Sequence, residues 1–442
     1  MNMLYRKVGN RIEQHLRSSS DKIMIVEGAR QVGKTFIIRE IGQRLFKNYI
    51  ELNFIEDAAG PRLFENVSTV ADFYLQVSMI AGDKMGSKED TLIFLDEIQN
   101  YPQLLTLLKF LREDGRFTYI ASGSLLGITL RKTTSIPIGS IERLQMYPLD
   151  FEEFLIANGF NPQAIETLNT KYISKQSLDE NTHERMLDLF RKYLLVGGMP
   201  DAVNTFLDTS NIVAVRALQK DIRDLYIADA VKYTEDSGRR LRTTKIYNLI
   251  PSLMANKKKR VVVKDIDEKK GAKYKDYFDE FEYLVASGIA LAVDAVSTPV
   301  FPLLESSGKN LLKLYLNDVG LLTGILYQNN IRAVLDDTVG VNLGAVYETA
   351  VAQELAAHGH PLYYYDNKHN GEVDFLIDDY QELSTLPIEV KSGKDYSVHS
   401  ALSRFVSNDD YHVKRGVVLS NSREICEKNG IVYMPVYYVM FM

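Results

Sequence analysis

A glycine-rich octapeptide between an apolar segment and a helical pattern constrains the fold of this chain more than any other feature. Lys22 to Glu27 reads KIMIVE, Gly28 to Thr35 reads GARQVGKT, and residues 33–46 have helical periodicity. A buried strand, a tight loop and a helix in this order begin a parallel α/β unit. Further strands with helical patterns between them are predicted at Asn48 to Phe54, Thr91 to Asp96, Phe117 to Ser122 and Arg143 to Pro148. We therefore expect an α/β fold with a parallel sheet covered on both faces.

The octapeptide fits the pattern G-x-x-x-x-G-K-[ST] in full, and its strand–loop–helix context predicts a phosphate-binding loop. Glycines at its ends let successive backbone N–H groups face one concavity, and the helix N-terminus adds its positive dipole. Lys34 is expected to reach the β- and γ-phosphates as a catalytic residue, and the Thr35 hydroxyl is expected to bind Mg²⁺. The predicted nucleotide-binding residues are Gly28, Ala29, Arg30, Gln31, Val32, Gly33, Lys34, Thr35 and Phe36.

Two adjacent carboxylates, Asp96 and Glu97, end an apolar strand, and Asp96 lies 62 residues after Lys34. We expect Asp96 to hold Mg²⁺ and Glu97 to polarise the attacking water as a catalytic residue. The next strand ends in Ala121-Ser122-Gly123-Ser124, where Ser122 is either a polar sensor of the γ-phosphate or part of a plain turn. The gap before Asp96 leaves room for an extra strand beside the phosphate loop.

This layout resembles the additional-strand ATPases of the AAA-like group, which hydrolyse ATP more often than GTP. The guanine-reading pattern N-K-x-D does not occur in the sequence. No arginine finger is assigned: Arg116, Arg131 and Arg143 lie in the expected region, and each also fits an ordinary surface arginine.

The middle of the chain carries a basic segment, residues 257–275, with nine Lys or Arg residues against three acids. Tyr274 and Tyr277 lie within or beside it, and the surrounding pattern of helix, basic turn, helix and the apolar hairpin IALAVDAV at 289–296 resembles a winged helix. The segment is interpreted either as a DNA contact through phosphate neutralisation or as a solvated face on a structural winged helix.

Carboxylates recur near the end of the chain. Asp374 lies in the strand pattern GEVDFLI, and Glu389 and Lys391 lie on one face of the strand PIEVK. Glu348 lies on an apolar stripe of a predicted helix, where a free carboxylate is costly. A helical Glu followed by Asp and Glu-x-Lys in consecutive strands resembles the PD-(D/E)XK nuclease fold. That resemblance implies Glu348, Asp374 and Glu389 as Mg²⁺ ligands and Asp374, Glu389 and Lys391 as catalytic residues; the alternative for E-V-K is a salt pair on a strand.

Nine segments together resemble a widespread prokaryotic family of AAA-type ATPases whose C-terminal domain, of unknown function, is similar to PD-(D/E)XK nucleases. In order they read GARQVGKT, FLDEIQN, ASGS, MYPLDFEEFL, VGGMP, LYLNDVGLL, GAVYETAVAQEL, GEVDFLID and IEVKSG. The resemblance implies ATP binding at the phosphate loop and a nuclease-like fold around Asp374. Gly139-Ser140 stands where many members of this family have a Gly-Arg pair.

The length of 442 residues is enough for several domains. We expect an AAA-like ATPase domain at 1–150, a helical lid-like region at 151–235, a winged-helix-like segment at 236–310 and a nuclease-like domain at 311–442. The single cysteine, Cys426, excludes a disulfide framework within the chain and favours a cytoplasmic location. The net charge of −6 excludes an evenly basic coating protein, and no segment has membrane-spanning length.

Two functions follow from these patterns. The first is an Mg²⁺-dependent ATPase that couples ATP binding and hydrolysis to nucleic-acid processing, with DNA as a partner. The second is an ATP-dependent signalling or defence switch, whose C-terminal domain is an inactive binding module and which acts through self-assembly or a protein partner.

Overall fold

The computed structural model describes residues 3–18, 20–55, 62–124, 138–232, 236–256, 259–267, 273–335, 343–393 and 399–442. The chain is mixed α/β and divides into two compact units. The N-terminal unit is Tyr5–Tyr147 with Ala286–Gly288, and the C-terminal unit contains Pro148–Val285 and Ile289–Met442. No described helix combines the length and apolar character that crossing a membrane requires.

The N-terminal unit contains a five-stranded, fully parallel sheet in the order β2-β3-β4-β1-β5. Its strands are β1 (Ile23–Glu27), β2 (Asn48–Asn53), β3 (Thr91–Asp96), β4 (Thr118–Gly123) and β5 (Ile141–Gln145). Its described α-helices are α1 (Lys7–Arg17), α2 (Lys34–Leu45), α3 (Val70–Ala81) and α4 (Pro102–Asp114). The expected parallel sheet is therefore confirmed. In the sheet, β4 lies between β1 and β3. β2, the strand that lies in the sequence between Lys34 and Asp96, is at the edge of the sheet.

Local sequence explains where these elements begin and end. Every residue of β3 is buried, which accounts for its uninterrupted apolar run. Helix α3 begins at Val70, because Thr69 and Asp72 form a capping box there. Helix α4 starts with Pro102 at its first turn and ends at Gly115, whose φ of 62° is left-handed.

The C-terminal unit begins with helices and continues into an eight-stranded mixed sheet in the order β12-β13-β11-β10-β9-β8-β6-β7. The helices are α5 (Phe151–Ala157), α6 (Pro162–Ile173), α7 (Glu180–Val196), α8 (Pro200–Thr209), α9 (Ile212–Lys232), α10 (Ser237–Ala255), α11 (Val263–Ile266), α12 (Phe278–Ala286), α13 (Leu303–Ser306), α14 (Val319–Tyr327), α15 (Arg332–Leu335), α16 (Gly344–Ala357) and α17 (Ser400–Val406). The strands are β6 (Ala290–Val296), β7 (Ser307–Leu316), β8 (Tyr363–Asn367), β9 (Gly371–Asp379), β10 (Ser384–Val390), β11 (Gly416–Ser420), β12 (Cys426–Lys428) and β13 (Ile431–Pro435).

The apolar run 289–296, which was expected to be a short hairpin, is instead the single strand β6. It has no Gly or Pro at which the chain could reverse, and it pairs antiparallel with β7 and parallel with β8. The boundary expected at residue 310 falls inside β7. The strands expected to form a separate winged segment are therefore part of the large sheet.

Four of the sequence motifs meet around the main chain of Leu149, in a cluster that we call the Leu149 junction. The Leu149 N–H donates to Gly198 O at 2.7 Å, and the Gly198 N–H donates to Asp318 Oδ2 at 2.6 Å. Gln353 Nε2 donates to Leu149 O at 3.3 Å, while its Oε1 accepts from the Val319 N–H at 3.0 Å. Asp318 and Gln353 are fully buried, so these motifs serve packing and main-chain hydrogen bonding.

Candidate functional site

The phosphate loop connects β1 to α2 and has the backbone that its glycines predict. Gly28 has a φ of 152°, and a Cβ there would lie 2.2 Å from Met146 O, so only glycine fits. Gly33, the N-cap of α2, has a φ of 94°. Arg6, the residue directly before α1, supports the loop because its Nη1 donates a hydrogen bond to Val32 O at 2.8 Å. Sequence reasoning did not identify Arg6, since an N-terminal arginine carries no motif.

Lys34 is buried at the start of α2. Its Nζ donates to Gly28 O at 2.9 Å and to Ala29 O at 2.8 Å, so the ammonium lies over the loop. Burial lowers the pKa of Lys34, while the carboxylates of Glu97 and Asp96 act in the opposite direction. The charge of Lys34 is therefore held close to both carboxylates.

Asp96, at the end of β3, accepts hydrogen bonds from the two neighbouring elements that sequence reasoning singled out. Thr35 Oγ1 lies 2.9 Å from Asp96 Oδ2, and Ser122 Oγ, from β4, donates to Asp96 Oδ1. Asn53 Nδ2, from β2, adds a longer contact of 3.4 Å. Burial raises the pKa of Asp96, and the hydrogen bond from Ser122 opposes this shift. Ser122 therefore lies against Asp96, as a polar residue at the end of the inserted strand.

Glu97 follows Asp96 in a left-handed conformation with a φ of 55°. Its Oε2 accepts hydrogen bonds from Gln99 Nε2 and, at 3.0 Å, from Ser124 Oγ. Both partners are buried, so the carboxylate is held in one orientation. Gln99 and Ser124 lie in the segments FLDEIQN and ASGS, but the sequence did not predict a role for them in the site. The signal for them is their position two or three residues beyond a predicted strand end.

The other predicted nucleotide-binding residues differ in exposure. Ala29 and Val32 are buried, so only their backbone groups face the loop, whereas Gln31 is exposed and Arg30 is half-buried. The Phe36 side chain, on the first turn of α2, is 41% exposed.

Two of the three arginines considered as fingers have partners within the N-terminal unit. Arg143 pairs with Glu27 across β5 and β1. Arg116 lies 3.6 Å from Asp114 and stacks over the ring of Tyr74. Arg131 lies outside the described residues.

The oxygen atoms at this edge of the sheet fit Mg²⁺. The metal prefers octahedral oxygen ligands and usually takes one or two carboxylates together with substrate phosphates and water. The Thr35 hydroxyl and the Asp96 carboxylate already lie within 3.1 Å of each other at the start of α2. A hydroxyl and a carboxylate placed beside a phosphate loop are the donor set that a nucleotide-bound Mg²⁺ needs.

The predicted C-terminal residues lie on adjacent elements of the C-terminal unit. Asp374 on β9 accepts a hydrogen bond from the Val390 N–H of β10 at 2.9 Å. Glu389, on β10, pairs with Lys391 just beyond it at 2.8 Å. Glu348, on α16, accepts from Tyr315 Oη at 3.1 Å. Burial, followed by the charge of Asp374, raises the pKa of both Glu348 and Glu389, so the carboxylates interact electrostatically.

Two lysines that sequence reasoning did not assign to this site neutralise part of its charge. Lys259 Nζ forms an ion pair with Glu348 Oε1, and the fully buried Lys313 pairs with Glu372 on β9. We call Glu348, Glu372, Asp374 and Glu389 the carboxylate cluster. Burial, followed by the charge of Asp374, raises the pKa of Glu389 to about 8.

The carboxylate cluster does not fit a metal ion as arranged. Both oxygens of Glu348 have partners, one oxygen of Asp374 accepts from the backbone, and one oxygen of Glu389 pairs with Lys391. Within the carboxylate cluster, Glu389 Oε2 is buried and has no hydrogen-bond partner among the described residues. Within the described ranges, no three His, Cys, Asp or Glu side chains form a group that could hold a metal ion.

Two of the five described basic residues of this segment, Lys259 and Arg260, are paired inside the C-terminal unit, whereas Lys264, Lys273 and Lys275 are exposed. Arg260 Nη1 lies 3.3 Å from Asp366 Oδ2, alongside the Lys259 ion pair. Tyr277 is buried, and Tyr274 stacks on Phe281 with ring centroids 4.9 Å apart. The buried Tyr277 ring is therefore not presented for stacking on a base. Lys257, Lys258, Lys269 and Lys270 lie outside the described residues.

The parallel sheet with an inserted strand, the phosphate loop and the Thr35–Asp96 contact define a P-loop ATPase domain. More particularly, residues 20–155 match the AAA domain family, so this part of the chain is an AAA-type P-loop domain, a family that implies nucleotide binding. Residues 187–331 match a domain of unknown function (DUF8612), and residues 343–439 match another (DUF4143). Neither match confirms a nuclease-like or winged-helix fold.

Solved structures give weaker similarities. The Walker-type ATPase PABY2304 of Pyrococcus abyssi is 12% identical, with a TM-score of 0.45 over 73% of this chain and 96% of that one. The Hsp104–ADP complex of S. cerevisiae is 13% identical, with a TM-score of 0.31 over 65% of this chain and 38% of that one. Both TM-scores are below 0.5 and do not establish a shared overall fold. No curated protein sequence matches the chain.

Proposed function

We propose that the protein is an Mg²⁺-dependent ATPase whose reaction takes place at the phosphate loop of the N-terminal unit. The observation that carries this proposal is the Thr35–Asp96–Ser122 contact, which joins the loop, β3 and β4 at one edge of the sheet. Thr35 and Asp96 would hold Mg²⁺, which would supply charge neutralisation for the phosphates. Phosphoryl transfer needs mainly positioning and charge compensation, which these residues offer.

The chain's own residues have separate roles in this proposal. The loop N–H groups and Lys34 bind the phosphates, and Lys34 Nζ is held on the Gly28 and Ala29 carbonyls of the loop. Glu97 accepts a proton from the attacking water, and Gln99 and Ser124 keep its carboxylate oriented.

Glu97→Gln tests the assignment because it keeps the size of the side chain and removes its basicity. We expect kcat for ATP hydrolysis to fall about 100-fold or more with ATP affinity retained. Lys34→Ala should instead weaken ATP binding, measured by titration with a fluorescent ATP analogue. Hydrolysis at the wild-type rate in Glu97→Gln, or normal ATP binding in Lys34→Ala, would count against the site.

For the C-terminal unit we propose control by the ATPase, with two candidate outputs. Nucleic-acid processing is supported by Asp374, Glu389 and Lys391 on neighbouring strands, in the arrangement that resembles a PD-(D/E)XK site. A binding module without chemistry is supported by the lysines that pair with Glu348 and Glu389.

Cleavage assays distinguish the two outputs. Purified full-length protein is incubated with single- and double-stranded DNA and RNA, with Mg²⁺ or Mn²⁺ and with or without ATP. Cleavage that is lost in Asp374→Ala and Lys391→Ala supports processing. Intact substrates in every condition, together with ATP-dependent self-assembly measured by light scattering, support the binding module.

A further inference from the structure

Residues Lys259, Arg260 and Val261, which we call the basic strap, lie between α10 and α11 and contact residues of the C-terminal unit. Its side chains and backbone make three separate contacts with residues distant in sequence. Lys259 pairs with Glu348, Arg260 Nη1 lies 3.3 Å from Asp366 Oδ2, and the Val261 N–H donates to Leu312 O at 2.8 Å. The strap is therefore held against β7, β8 and α16, and its contact with the carboxylate cluster is the Lys259–Glu348 ion pair.

Lys259 is placed to balance the most buried part of this cluster. The Glu348 side chain is 2% exposed and that of Lys259 is 20% exposed. Burial by itself would lower the pKa of Lys259. The negative charges of Glu348 and Asp374 outweigh this effect and raise the pKa above the ordinary value. Buried carboxylates that repel one another require a nearby positive charge, and Lys259 supplies it from a separate segment of the chain.

We propose that Lys259 is the resident cation of the carboxylate cluster and excludes divalent metal ions from it while the strap is in place. Four carboxylates face three lysines, Lys259, Lys313 and Lys391. Lys391 lies just beyond the end of β10 and Lys313 lies on β7, whereas Lys259 lies in the strap, outside the sheet. Removal of the Lys259 charge frees one oxygen of Glu348, which interacts electrostatically with Asp374 and Glu389, and Glu389 Oε2 has no hydrogen-bond partner among the described residues. Oxygen ligands of this kind suit Mg²⁺ or Mn²⁺.

This inference goes beyond the ATPase and does not depend on it, because it concerns metal exclusion in the C-terminal unit. A simple structural ion pair would give a different outcome. Breaking such a pair would destabilise the chain without creating any affinity for metal.

The test is Mn²⁺ binding to full-length protein without nucleotide, followed by the electron paramagnetic resonance signal of free Mn²⁺. Lys259→Met removes the charge and keeps most of the side-chain length. We expect it to bind one additional Mn²⁺ per chain, at least about 10-fold more tightly than wild type, and the addition of Asp374→Asn to abolish that binding. Lys259→Arg and Lys264→Met, a matched change at an exposed lysine of α11, should behave as wild type.

Two results would overturn the proposal. One is a Lys259→Met protein that melts cooperatively and binds no more Mn²⁺ than wild type. The other is wild-type protein that already binds an ion sensitive to Asp374→Asn. If Lys259→Met does not fold, Lys259→Gln, which keeps a hydrogen-bond donor for Glu348, takes its place under the same criteria.

Discussion

Replacing Ser122 by alanine tests whether β4 acts on the ATPase reaction through Asp96. Ser122 Oγ is one of two hydroxyls that donate to this carboxylate; the other, from Thr35, lies 2.9 Å away. Asp96 is 1% exposed, so water does not readily replace the lost donor. A hydrogen bond to a charged group contributes about 1.5–3 kcal/mol. This range corresponds to about 10- to 150-fold in an equilibrium constant.

The assay is ATP hydrolysis as a function of Mg²⁺ concentration at saturating ATP. In Ser122→Ala we expect the Mg²⁺ concentration for half-maximal rate to rise about 10- to 100-fold, as is typical when a partner of a metal ligand is removed. Ser124→Ala is the matched control. It loses a hydroxyl bonded to Glu97 at 3.0 Å, so it should lower kcat with little change in Mg²⁺ dependence. An unchanged Mg²⁺ dependence in Ser122→Ala, with the protein folded, would refute the reasoning.

Two further predictions concern stability. Burial raises the pKa of Asp318 to about 6 from an ordinary 3.8. The ionised carboxylate therefore lowers the unfolding free energy above pH 6, and protonation removes this destabilisation as the pH falls towards 4. The urea-unfolding free energy of wild type relative to Asp318→Asn should therefore rise by about 2 kcal/mol between pH 8 and pH 4; a constant difference would contradict this. Gly198→Ala would place a Cβ 2.0 Å from Leu149 O and should lower the unfolding free energy by about 3 kcal/mol or more. Gly393→Ala, whose Cβ would have no atom of the described residues within 4 Å, should change it by less than about 0.5 kcal/mol. Equal melting curves for the two variants would contradict the packing argument.

The phosphate loop and the parallel sheet could be predicted because both depend on local sequence. Gly28 and Gly33 have the φ values that their motif requires, and the apolar run of β3 reports burial on both sides. The pairing of Asp96 with Thr35 follows from the rule that the ends of parallel strands meet at one edge of a sheet.

The partners of Glu97 and Glu348 could not be predicted in the same way. Gln99 reaches Glu97 because a left-handed residue turns the chain immediately after β3, and no periodic pattern encodes that turn. Lys259 lies 89 residues before Glu348, in a run of basic residues whose members are indistinguishable by sequence. Only the three-dimensional arrangement shows which of these lysines is internal.

The Leu149 junction has a practical consequence for dividing the chain into fragments. A C-terminal fragment that started at residue 151 would lack the carbonyl that Gln353 contacts and the N–H that Gly198 accepts. Similarly, a fragment that started at residue 311 would lose β6 and part of β7, leaving β8 as an unprotected sheet edge prone to self-association. Expression of the C-terminal unit by itself should therefore begin at or before Pro148 and retain the chain through Met442.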